Sequence, residues 1–94
     1  MKVYSLPDVT LATGAAQAVS ATSQPCKWYQ INGVTVGTTG RCGDANVGAA
    51  RGAPIKSDGG QFAPPVAELE NPYDLKDVYI IGTAADVYSV IYGV

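Results

Sequence analysis

Any chemistry in this chain would have to proceed without histidine. None occurs among the 94 residues, so the side chain that most often moves protons near neutral pH is missing. Glu68 with Glu70 and Asp74 with Asp77 are the only close carboxylate pairs. On a strand, Glu68 and Glu70 would share a face, as the acid and base of a glycosidase must, but that pairing needs a deep cleft between them. In a chain this small and this rich in Gly and Ala they read as a solvated edge. Gly43-Asp44-Ala45-Asn46 alternates oxygen-bearing side chains as a calcium loop does, but lacks the further carboxylates that hold the ion. Gly40-Arg41-Cys42-Gly43 lacks the Gly-Lys-Ser/Thr ending of a phosphate loop. Cys26 and Cys42 stand 16 apart without a His or a third thiol, which is no metal set. They read as small buried thiols, or as a disulfide if their strands are neighbours. No catalytic, cofactor-binding or metal-binding residue is assigned, and the chain reads as a non-enzyme.

The elements that would carry these residues are strands. Val, Ile, Thr and Tyr number 29, against 17 for Leu, Glu, Lys, Met, Arg and Gln together, a bias toward pleated surfaces. Eleven Gly and six Pro supply frequent turns. The expectation is an all-β fold: a small antiparallel β-sandwich or barrel, jelly-roll-like, with short strands and an extended N-terminal arm. One domain spans 1–94, with arm and loop over 1–25 and the β core over 26–94. Pro7 makes residues 3–11 an edge strand or a strand broken in two. Cys26, Trp28 and Gln30 alternate with Lys27, Tyr29 and Ile31, and Asn32-Gly33 then predicts a hairpin returning through Val34–Val36. Short strands are expected near Val47, Ala53–Ile55 and Gln61–Phe62, with a tight turn at Asp58-Gly59-Gly60 and one helical turn capped by Asp74. Trp28 reads as a core residue, or as a sugar-stacking or hot-spot aromatic.

The clearest pattern closes the chain. Val78–Gly82 and Val87–Tyr92 read as a second hairpin around 83–86, apolar on both faces. A ribbon apolar on both sides must be covered on both sides. One cover is the rest of the domain and the other is assigned to a second subunit. The interface candidates are Tyr79, Ile81, Tyr88, Val90 and Tyr92 on this hairpin, and Val3, Tyr4 and Leu6 on the arm, which would add a strand to a neighbour's sheet. Net charge is −2, only 15% of residues are charged, and no basic run exists, which disfavours nucleic acid. No apolar stretch reaches the roughly 18 residues of a membrane span, and Pro7 and Asp8 interrupt what would be a signal peptide's apolar core. The chain is therefore expected to be made in a cytoplasm. A domain this short buries only about 60% of its unfolded surface, so a homo-oligomer or docking on a larger surface is expected.

Residues 26–94 resemble small virion proteins of tailed bacteriophages. The likeness runs through CKWYQI and its turn, RCGDANVGAARGAPI, the Gly-rich turn and Pro-rich link, and the ending YDLKDVYIIGTAADVYSVIYGV. The resemblance implies a structural role: a capsid decoration or cement protein, a trimer or dimer bound to the major capsid protein on the outside of a phage head. The alternatives are a tail, neck or fibre-base subunit and, in another class, a small host-directed binding module. It implies residence in the virion and carries no catalytic residues, cofactor or membrane role.

Overall fold

Proline and glycine divide the apolar runs into short strands. The computed structural model describes every residue except Lys56, Ser57 and Leu69. In chain order the strands are β1 (Val3–Ser5), β2 (Val9–Thr10), β3 (Gln17–Ala18), β4 (Pro25–Cys26), β5 (Trp28–Thr35), β6 (Arg41–Gly43), β7 (Ala53–Pro54), β8 (Gln61–Phe62), β9 (Tyr73–Asp74), β10 (Tyr79–Ile81) and β11 (Val87–Gly93). A 3₁₀ turn, Leu75–Asp77, precedes β10. No α-helix occurs among the described residues. The fold is all-β and antiparallel, as expected, and has the form of a small sandwich.

The larger sheet runs β1-β11-β5-β8, with β2 also on β11. Val3, Tyr4 and Ser5 pair with Gly93, Tyr92 and Ile91, and Val9 and Thr10 pair with Tyr88 and Val87. One edge strand is thus split in two around Pro7, whose missing N–H cannot enter the ladder. The smaller sheet runs β3-β10-β6-β7, and β4 pairs with β9 as a separate ribbon. Ile31, Tyr88 and Val90 of the larger sheet meet Cys42 and Ile80 of the smaller one in a core that also holds Leu11, Ile55 and Leu75.

Four expectations are corrected. Asn32-Gly33 is not a turn: β5 runs straight through it, with Asn32 opposite Ser89 and Gly33 opposite Tyr88. Gly33 also bonds Gly59 and Gly60 on its other side, so both flanks of the dipeptide are taken up by neighbouring chain and no reversal is possible. The closing hairpin does not form either. β10 lies in the smaller sheet and β11 in the larger, because strands apolar on both faces are satisfied as interior strands of two layers. The connection changes sheets at 82–86, held by Leu11 N–H on the Asp86 carbonyl and Ala85 N–H on the Leu11 carbonyl. Cys26 does not share a face with Trp28, since β4 ends before Lys27, whose N–H turns to the Gly93 carbonyl. Finally, residues 3–10 are no free arm: they complete their own sheet, and Val9 and Leu11 are core residues. Removing residues 1–11 would therefore open the core rather than trim an appendage.

Asp74 ties the ribbon to the 3₁₀ turn. Its Oδ1 accepts from Gln24 N–H at 2.9 Å and Lys76 N–H at 3.0 Å, and its Oδ2 accepts from the Ser23 hydroxyl. These donors, Ser23 first, hold its carboxyl below the usual carboxylate range. A depressed folded pKa gives stability that is present above the unfolded value of about 3.9 and lost as pH falls through the folded one. Acid titration of Asp74→Asn, followed by circular dichroism, should therefore show a shallower loss of stability below about pH 4 than the parent does.

Candidate functional site

The interface candidates fall into three groups. Tyr88 and Val90 are core residues, 0% and 1% exposed, and present nothing to a partner. They face inward because their register partners, Gly33 and Ile31, lie on the covered side of β5. Tyr79 and Ile81 are half-buried on the outer side of the smaller sheet, flanking the fully buried Ile80. Ile81 there joins Gly14, Thr38, Thr39, Arg41 and Gly82 around an open cleft of about 310 Å³. Arg41 directs one guanidinium N–H to the Gly52 carbonyl at 3.1 Å.

Tyr4 and Tyr92 meet across the β1–β11 pair, Val3 lies opposite Gly93 on the other face, and Leu6 and Tyr92 pack partly buried against the core. Tyr4 stacks on Tyr92 with ring centroids 5.6 Å apart, and the Lys2 ammonium lies 5.6 Å from the Tyr4 ring centre. Lys2 and Val94 exchange both backbone hydrogen bonds, so Met1 and Val94 lie beside the same edge. Among the described residues, the exposed large apolar side chains are Met1, Val3, Tyr4, Val34, Val66 and Val94. Four of those six belong to this end of the sheet. Beside Val94 lies an apolar hollow of about 200 Å³ lined by Pro25, Cys26, Lys27 and Pro72. Among the described residues no strand lies beyond β1, which leaves its outward amides and carbonyls open to another chain.

The outward side of the larger sheet, which includes Val3, mixes uncharged polar side chains with Trp28 and Ile91. Trp28, Gln30 and Asn32 alternate there with the buried Tyr29, Ile31 and Gly33. The signal for this face is the period-two alternation of β5; the pairing that brings Gln61 and Ser89 beside it is long-range.

The cysteines are separate buried thiols and form no disulfide. Burial raises both, Cys42 to about 11, so almost none of the reactive thiolate exists near neutral pH. A thiol reagent should consume neither cysteine in the folded protein and both after addition of denaturant. Rapid labelling under native conditions would contradict the packing. Tyr29, between the two thiols and edge-on to Tyr73 at 5.3 Å, is raised to about 12 by burial. Asp44 is engaged as a turn former, its Oδ1 accepting from Asn46 N–H at 2.9 Å. Glu68 and Glu70 are exposed and lie outside the strands.

No family model matches the chain, and no curated protein and no solved structure shows significant similarity to it. The described residues contain no helix long and apolar enough to cross a membrane.

Proposed function

We propose that this protein is a structural subunit of a phage particle, a decoration protein that docks on a capsid surface through the β1 edge. The virion role rests on the resemblance of residues 26–94. The docking role rests on one observation, the gathering of Met1, Val3, Tyr4 and Val94 around an open strand edge. Such an edge accepts a partner strand through main-chain hydrogen bonds, and the flanking apolar side chains supply burial. Each contact is modest, and repetition over a symmetric shell multiplies it.

Quantifying the band of this chain in purified particles tests the reading. A decoration protein is present in an amount comparable with the major capsid protein. A tail, neck or fibre-base subunit is present at a small fraction of that, and a host-directed module is absent. Val3→Asp, which places a charge on the edge without touching the core, should release the protein from particles while leaving its circular dichroism unchanged. Retention of Val3→Asp on particles would show that another surface docks.

A further inference from the structure

We propose that the outward face of the larger sheet binds a neutral glycan, with a sugar ring against Trp28 and its hydroxyl groups along the side-chain row Gln30, Asn32, Gln61 and Ser89. The register puts these residues on one surface. Asn32 is opposite Ser89 on one side and Gln61 on the other, and Gln30 and Trp28 follow at successive outward positions of β5. No outward position within the five strands carries an ionisable side chain, as the register and sequence show. A face without charge gives no electrostatic preference to an anion or a cation. It suits a ligand that is polar and uncharged.

The row is already oriented. Gln30 Nε2 donates to Asn32 Oδ1 at 2.8 Å and to Gln61 Oε1 at 3.0 Å, which uses both its hydrogens. Asn32 Nδ2 lies 3.5 Å from Ser89 Oγ. Gln30 Oε1 is thereby left as an acceptor, Gln61 Nε2 as a donor and the Ser89 hydroxyl as either. Alternating donors and acceptors held in place by one another match the hydroxyls of a sugar, each of which donates and accepts. Preorganisation removes part of the ordering cost of binding. Trp28 stands at one end, half-buried, opposite Gly93, over which the Met1 thioether lies. Its apolar ring face is the complement of the C–H face of a pyranose, and Ile91, beside Gln30, continues that apolar ground. From Trp28 to Asn32 the strand covers roughly 13 Å at about 3.3 Å per residue, the length of a short oligosaccharide. This inference does not rest on the particle role.

Trp28 is the only tryptophan, so its fluorescence reports on the face directly. The full chain is titrated with cello-, chito-, malto- and manno-oligosaccharides. At least one should give a saturable shift of the emission, unchanged between low and high salt because no ion pair forms. Gln30→Ala and Gln61→Ala, folded by circular dichroism, should each bind that sugar about tenfold more weakly. Lys76→Ala, outside this sheet, should bind as the parent does. Trp28→Ala is followed by calorimetry and should lose binding. If it does not fold, the two Gln variants decide the matter. The proposal is overturned if no sugar shifts the emission or releases heat, or if Gln30→Ala and Gln61→Ala bind undiminished. It is also overturned if the emission responds only to the protein's own concentration, which would make the face a contact between copies.

Discussion

Tyr88→Ala should leave the protein largely unfolded at 25 °C, whereas Tyr88→Phe should fold and resist urea at least as well as the parent. The ring is fully buried in the middle of β11. Replacing a buried aromatic by Ala costs about 3–5 kcal/mol, most of what a domain of this size has to spare. The hydroxyl behaves differently. It is buried and has no hydrogen-bond partner. Burial, followed by the charge and hydrogen bonding of the neighbouring Asp86 carboxylate, raises it to about 12, so it remains protonated. An unsatisfied buried polar group costs about 1–3 kcal/mol, and Phe removes it while keeping the ring. Urea midpoints of the two variants check both statements. A lower midpoint for Tyr88→Phe would mean that the hydroxyl donates a stabilising hydrogen bond to the buried Asp86 carboxylate.

Gly40→Ala is the second large effect, and it is coupled to the first. A Cβ on Gly40 would stand 2.6 Å from the Ile55 carbonyl oxygen and 3.3 Å from Tyr88 Cζ, and would run into the Tyr88 hydroxyl. Ile55 N–H bonds the Gly40 carbonyl at 2.8 Å, so these segments cannot separate without losing that bond. Overpacking of this kind costs about 1–3 kcal/mol or more. In a Tyr88→Phe background one of the clashing atoms is gone. The cost of Gly40→Ala should then be smaller, with a coupling of about 0.5–3 kcal/mol between the two sites. Equal costs in both backgrounds would show that the Ile55 backbone alone sets the penalty.

The sequence was legible where one residue type dictates one outcome. Pro7 split the edge strand, Asp74 capped the 3₁₀ turn, and the short strands around Ala53 and Gln61 lie between Gly- and Pro-rich turns. Reading failed where a local signal competed with long-range pairing. Asn32-Gly33 favours a reversal, yet Gly33 is held on both sides by chain distant in sequence, from Tyr88 and from Gly59-Gly60. The segment 82–86 likewise looks like a hairpin loop and instead crosses between layers. The same error shaped the candidate site. A two-sided apolar hairpin would need an outside cover, which made Tyr88 and Val90 interface residues. Once β10 and β11 belong to different sheets, the sandwich itself covers them. On β5 the alternation of Trp28 and Gln30 was legible, but their row neighbours Gln61 and Ser89 come from β8 and β11, distant strands whose pairing with β5 no local pattern announces. Val3 and Tyr4 are exposed on β1, whereas Leu6, just before Pro7, packs partly buried against the core.

The central place of β11 has a kinetic meaning. It separates the N-terminal edge from the β5–β8 pair, so β1 and β2 cannot join the larger sheet until residues 87–93 have left the ribosome. Until then Ile31, Val9 and Leu11 lack their cover, and a nascent chain carries a sticky, unzipped half-sheet. Folding has to wait for the last strand to slot between partners that were synthesised long before it. Antiparallel topologies dominated by distant pairings of this kind reach their native state in milliseconds to seconds rather than microseconds. Crowded expression at high temperature should therefore lose material to aggregates made before residues 87–93 are in place, and slowing the rate of initiation should recover it.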